Sequence, residues 1–195
     1  ENTRISPGEG EVQYSNGSYG NMTSLGAIEI KANNFMDFSF GHGKTFLGEG
    51  YRSLFLSDAA GNNLFGRLDF NIGKIAKYSA IVGEYIHYHP SDPAIGDVVR
   101  QKKYASVHYL QTKLWKKVII GLYEAAIWAG DSSGRSNLEL NYLNPFVIMR
   151  PVEHRLGSPD NMQIGSQIKY IPTNSMTFYG QFLLTELKVS EFFGG

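Results

Sequence analysis

The sequence predicts an all-β protein, a portion of an antiparallel up-and-down transmembrane β-barrel. Three observations lead there. Apolar and polar residues alternate with period two over repeated segments. Aromatic residues and glycine are abundant, yet no stretch approaches the ~18–20 apolar residues that a spanning helix needs. Connections between the alternating segments are short and long in turn, the habit of outer-membrane barrels.

The 195 residues suffice for one domain. Phe and Tyr number 12 each, Trp 2 and Gly 22, while 42% of residues are hydrophobic. Barrel strands are only half apolar, so this balance suits them. Lys plus Arg and Asp plus Glu number 18 each. That even balance offers no footprint for nucleic acid. With no cysteine, disulfides and thiolate metal sites are excluded. The start at Glu1-Asn2-Thr3-Arg4 lacks a basic-then-apolar leader, and no strand pattern closes the end at Phe193-Gly194-Gly195. Both ends are expected to be truncations, the chain being a mature or internal fragment, with 1–195 forming part of a single barrel.

Residues 1–26 are rich in Gly, Asn and Ser and are expected to be irregular, apart from a short strand at 11–14. Strands are predicted next at 27–31, 35–41 and 51–57. The clearest alternation is 64–72: Leu64, Leu68, Phe70 and Ile72 share one side, and Phe65, Arg67, Asp69 and Asn71 the other. After the turn 73–77, residues 78–87 return, with Ile81 and Tyr85 opposed to Glu84. Residues 104–113 set Ala105, Val107 and Tyr109 against Ser106 and His108. Beyond Trp115-Lys116-Lys117, residues 118–128 set Ile119, Tyr123 and Ile127 against Glu124. In 162–170, Met162, Ile164, Ile168 and Tyr170 oppose Gln163, Gln167 and Lys169. The turn 172–175 leads to 176–186, where Phe178, Phe182 and Leu184 oppose Gln181 and Thr185. Eight to ten strands of roughly 9–11 residues follow, the length a tilted strand needs to cross hydrocarbon.

Connections 73–77, 114–117 and 172–175 are short, whereas 88–103 and 129–160 are long. The long ones, with 58–63 and 187–195, are assigned outside. The segment 42–50 is then periplasmic or folded into the lumen. Tyr78, Tyr85, Tyr104, Trp115, Trp128, Tyr170 and Tyr179 near strand ends suit an interfacial girdle. Arg67, Asp69, Glu84, Glu124, Gln163, Gln167, Lys169 and Gln181 lie mid-strand and are expected to line the lumen. A soluble sheet with its apolar side inward would use the same alternation, and these polar residues would then face solvent.

Local motifs add little chemistry. Gly41-His42-Gly43-Lys44-Thr45 ends like a phosphate loop, but Phe38 stands where the first glycine belongs, and no strand-to-helix frame surrounds it. A bend beside the lumen wall is the expected role. His87 and His89 share a strand side, a spacing able to chelate a metal, with no third ligand nearby. Glu49, Glu84, Glu124 and Glu153 are candidate carboxylates for glycoside hydrolysis, although nothing fixes a pair's separation. No cofactor, metal or catalytic residue is expected.

Two stretches carry a family resemblance. One is Phe38-Ser39-Phe40-Gly41-His42-Gly43-Lys44-Thr45-Phe46-Leu47-Gly48-Glu49-Gly50-Tyr51-Arg52-Ser53-Leu54-Phe55-Leu56-Ser57-Asp58. The other is Asn141-Tyr142-Leu143-Asn144-Pro145-Phe146-Val147-Ile148-Met149-Arg150-Pro151-Val152-Glu153 with Leu156-Gly157-Ser158-Pro159-Asp160-Asn161, followed by Phe178-Tyr179-Gly180-Gln181-Phe182-Leu183-Leu184. Together they resemble the Wzi-like capsule-assembly outer-membrane proteins, nearest the branch that includes gliding-motility-associated barrels. The likeness spans most of 35–186. It implies a barrel with many more strands than this chain holds, and a role in attaching or assembling capsular polysaccharide at the cell surface. Implied partners are outer-membrane lipid, a surface polysaccharide and other envelope proteins.

Sugar recognition joins aromatic faces to planar polar groups. Tyr51, Arg52, Tyr142, Asn144, Arg150 and Glu153 form the candidate glycan set, with Arg67, Asp69, Glu124, Gln163 and Lys169 as lumen candidates. The apolar run Phe146-Val147-Ile148-Met149 in a long outer loop predicts that 141–161 folds into the barrel mouth as a constriction; two short extra strands around a turn are the other reading. A channel for small solutes and a soluble carbohydrate-active sheet domain are the competing functional readings.

Overall fold

The computed structural model describes residues 13–15, 18–20, 24–89, 99–129, 139–146 and 161–185. A short hairpin, β1 (Gln13–Ser15) with β2 (Ser18–Gly20), lies within the N-terminal stretch, where only a short strand at 11–14 was expected. Eight further strands follow: β3 (Gly26–Lys31), β4 (Met36–Gly43), β5 (Asn63–Ile72), β6 (Ala76–His89), β7 (Val99–Trp115), β8 (Val118–Ala129), β9 (Asn161–Thr173) and β10 (Met176–Thr185). Each pairs antiparallel with its sequence neighbour in one up-and-down sheet. β3 and β10 are its edges and do not pair with each other, so the sheet is open. No α-helix occurs among the described residues; one 3₁₀ turn covers Leu140–Leu143.

The alternating segments became strands, several longer than expected. Residues 88–103 were assigned to a loop, yet β6 reaches His89 and β7 begins at Val99. Their cross-strand pairing continues to His89 opposite Val99, which outweighs the polarity of Arg100 to Lys103. Residues 51–57 are not a strand. They form an irregular segment held by one isolated bridge, Leu47 to Leu56. Gly48 and Gly50 take φ of 102° and 95°, a region closed to extended strands and costly for any side chain.

That correction simplifies the topology. The turns 32–35, 73–75, 116–117 and 174–175 all lie at one end of the sheet, and the strand ends that flank 44–62, 90–98 and 130–160 lie at the other. The segment 42–50, left between two locations by the sequence, is the end of β4 and the start of the 44–62 connection.

Register assigns the two faces. Asp37, Asp69, Ser79, Tyr109, Tyr123, Gly165 and Leu183 follow one another across β4 to β10 on one side. Phe38, Leu68, Ala80, His108, Glu124, Ile164 and Leu184 do so on the other. The first face is concave. Gly48 of the inserted segment lies within van der Waals reach of Gln181 and Gln167 on β10 and β9 for an added Cβ, and borders a small cavity with Arg67 on β5. Five flat strand spacings would hold β5 and β10 about 24 Å apart, so the sheet must curl around the segment.

On the concave side, Leu47 and Phe55 join Phe65, Ile81, Val107, Tyr109, Tyr123 and Ala125 in the main core. On the convex side a smaller core gathers Tyr104, Ala126, Trp128, Tyr142 and Met162. Elsewhere the convex face exposes large apolar residues, Ile28, Phe40, Leu64, Leu122, Ile168 and Phe182, with Glu124 and the Lys102–Glu84 ion pair among them.

Candidate functional site

The concave wall and residues 44–57 form the site. The segment leaves β4 at the long-loop end, descends along the wall, turns at Gly48-Glu49-Gly50 and climbs back to β5. Phe55 is its apolar anchor. Its ring stacks on Tyr123 with centroids 4.6 Å apart and tilts against Tyr109 at 5.9 Å. Space for it comes from Gly165, where an added Cβ would stand 2.5 Å from Phe55 Cε1.

The tip is held by polar groups from β7, β9 and β10. Lys169 Nζ lies 2.7 Å from Glu49 Oε2. Gln111 Nε2 donates weakly to Glu49 Oε1 at 3.4 Å. The Glu49 amide donates to Gln167 Oε1, and the Leu54 amide to Gln181 Oε1, each at 2.9 Å. Gln181 Nε2 in turn donates to Gln167 Oε1 at 2.9 Å, and Gln167 Nε2 to the Tyr109 hydroxyl at 2.8 Å. Gln167 is only 3% exposed, so this network satisfies an amide that would otherwise be costly to bury.

A second cluster sits on β5 and β6. Arg67 Nε donates to Asp69 Oδ2 at 2.9 Å, Lys77 Nζ lies 3.3 Å from the same oxygen, and the Ser79 hydroxyl donates to Asp69 Oδ1. A cavity of about 130 Å³ separates Arg67, Lys77 and Ser79 from the backbone around Leu47.

The candidate residues are thus only partly brought together. Arg67, Asp69, Gln163 and Lys169 share the concave wall. Glu124 does not: its register partners are His108 and Ile164, on the convex face, and Glu84 pairs with Leu64 there too. Alternation in β6 and β8 was assigned to the wrong sides, because the inserted segment needs Ile81 and Tyr123 on the concave side to pack against. Glu84 and Glu124 share a face but lie beside Tyr104 and His108, four positions apart along β7, and Glu49 lies on the other face, so register brings no two of them side by side.

The glycan set also divides. Tyr51 and Arg52 sit at the exposed outside of the inserted segment, the guanidinium 5.8 Å from the Tyr51 ring centroid. Tyr142 lies on the convex side, 1% exposed, 5.1 Å from the Trp128 ring, its carbonyl accepting from the Ser106 hydroxyl at 2.7 Å. It is a packing residue there. Asn144 is exposed and its Oδ1 caps the Phe146 amide at 3.1 Å. Arg150 and Glu153 lie outside the described residues, as do 147–160 of the expected constriction. The described residues 139–146, which hold the start of that stretch at 141, cross the convex face, with Phe146 against Phe70 at 5.4 Å and the Tyr78 hydroxyl donating to the Pro145 carbonyl. Residues 44–57 fill the concave side instead.

Gly41-His42-Gly43 is the end of β4, and His42 Nδ1 is 2.8 Å from the Ser24 carbonyl. His87 and His89 lie on β6, on the backbone side shared with Gln101 and Val99. Among the described residues, no three His, Asp or Glu side chains gather around a common point. Lys77, Ser79, Tyr109 and Gln111 were not singled out from sequence. Only the doublet of glycines around Glu49 marks where the chain turns on the wall. No protein-family model, no curated protein and no solved structure matches the chain.

Proposed function

We propose that this chain is part of the wall of an outer-membrane β-barrel, concave face to the lumen and convex face to lipid, acting without catalysis in the attachment or assembly of a surface polysaccharide. One observation carries the reading. Most charged strand side chains lie on the concave side, and apart from Glu124 and the Glu84–Lys102 pair the convex side exposes large apolar residues: Phe40 on β4, Leu122 on β8 and Phe182 on β10 are 49%, 54% and 57% exposed. In water such a patch is costly, whereas hydrocarbon covers it at no penalty. The inserted segment supports a holding role over free conduction. The polysaccharide is supported by the resemblance of 38–58, 141–161 and 178–184 to capsule-assembly barrels. The test is fractionation of the native protein with the outer membrane, together with heat-modifiable gel migration. Recovery in the soluble fraction without detergent would end this reading.

One observation favours a second reading, a soluble sheet domain acting on carbohydrate. Residues 139–146 lie over the convex face and bury Ser106 and His108 beneath them. Irregular backbone is not tolerated against lipid tails. The same fractionation decides between the two.

A further inference from the structure

We infer that the concave wall holds a seat for a carboxylate-bearing glycan, and that Glu49 occupies this seat as an internal stand-in. The word glycan rests on the function proposed above; the charge argument does not. The chain as a whole is neutral, with 18 acidic and 18 basic residues. The wall is not. Register places Lys31, Arg67, Lys77, Lys103, Lys113 and Lys169 on the concave side, against Glu29, Asp37 and Asp69. That is a surplus of three positive charges on the described strands. A concave surface of one sign concentrates ligands of the other.

Two of the wall's own three acids are engaged within it. Asp69 receives Arg67, Lys77 and Ser79, and Asp37 accepts from Asn71 Nδ2 at 3.1 Å. Lys169 is different. Its acid comes from the inserted segment, 120 positions away. Around that carboxylate stand an ammonium (Lys169), an amide donor (Gln111) and two amide carbonyls (Gln167 and Gln181) that take backbone N–H groups. The Tyr179 ring lies beside Gly50, 2.3 Å from where a Cβ would be. A uronate offers the same pattern: a carboxylate for the ammonium and amide donor, hydroxyls for the amide carbonyls, and a C–H face for the aromatic ring. Such a sugar and the Glu49 tip exclude each other, so binding requires the tip to leave.

The test uses the full-length protein in detergent, with polygalacturonate as the acidic probe and dextran as the neutral one. The wild type is expected to bind polygalacturonate over dextran, with affinity falling as KCl rises. Glu49→Gln removes the competitor's charge and should tighten polygalacturonate binding about tenfold, while Lys169→Gln should weaken it by a similar factor. Lys169→Arg should retain most of it. Equal binding of the two polymers would overturn the acidic seat yet leave a glycan role standing. Unchanged affinity in Glu49→Gln would overturn the stand-in. Binding of neither polymer by wild type or Glu49→Gln overturns the inference outright, and membrane fractionation reports on the barrel independently.

Discussion

The Phe55 and Tyr123 rings stack nearly parallel, 4.6 Å apart and 9° from coplanar, although 68 positions separate them. The contact ties the inserted segment to β8, and the Tyr123 hydroxyl reinforces it by reaching the Phe55 carbonyl at 3.5 Å. Phe55→Ala should therefore free the segment without unfolding the sheet. A buried Phe lost to Ala costs about 3–5 kcal/mol. Hydrogen exchange at residues 46–56 should accelerate while amides of β5 to β9 keep their protection. Equal acceleration across the strands would mean that the segment is part of the sheet's folding unit and not an insert.

Gly48 and Gly50 set the tip's shape by both conformation and space. An added Cβ would stand 2.4 Å from Ser53 Oγ at Gly48 and 2.3 Å from the Tyr179 ring at Gly50. Each Ala substitution is expected to cost about 1–3 kcal/mol of local stability, since both positions hold positive φ. Gly73 has a φ of 59° but open space around it. Ala there should cost only about 1 kcal/mol. Denaturant titration of the three variants gives the order; a Gly73 variant as unstable as the other two would contradict it.

The lipid assignment can be checked face by face. Arg at Leu122 or Phe182 projects from the convex side, and Arg at Gln163 from the concave side. A lipid-facing Arg at mid-depth costs about 2–4 kcal/mol, whereas a lumen position tolerates it. Folding yield into phosphatidylcholine vesicles should fall for Leu122→Arg and Phe182→Arg and hold for Gln163→Arg. On a soluble sheet all three would be surface changes within about 0.5 kcal/mol.

Much of this architecture was legible as period-two alternation. Arg67, Asp69 and Leu68 in β5, and Gln167, Lys169 and Ile168 in β9, read correctly because one side of each strand is polar and the other apolar. In β6 and β8 the same logic inverted the sides. Alternation shows which residues share a side; it does not show which side is wet. Ile81 and Tyr123 are apolar because an inserted segment covers them, and that segment is distant in sequence. Residues 51–57 were expected to be a strand. The φ of Gly48 and Gly50 just before them, with Leu54, Phe55 and Leu56 in succession, produces an irregular anchor instead. The glycan set was assembled by residue type alone. Type cannot reveal that Tyr142 is buried on the opposite side from Tyr51.

Tyr142 supplies the last prediction, because its burial decides how 139–146 is held. The ring packs 5.1 Å from Trp128, and Trp128 lies 6.0 Å from Tyr104. The backbone carbonyl takes the Ser106 hydroxyl, so ring and main chain both hold the segment. Tyr142→Ala should remove the ring's packing, about 3–5 kcal/mol by analogy with other large aromatics, and wet the Trp128 indole. The chain has two tryptophans, and Trp115 is exposed, so Trp115→Phe isolates the signal from Trp128. In that background, Tyr142→Ala should shift the Trp128 emission to the red and raise its quenching by iodide. Ser106→Ala should weaken the attachment by only about 1 kcal/mol, since it deletes one hydrogen bond and leaves the ring seated. In vesicles containing brominated lipid the comparison becomes sharper. If 139–146 shields Trp128 from lipid, Tyr142→Ala increases quenching by the brominated chains; an indole already quenched fully in the parent would mean that the segment does not cover this face in the membrane.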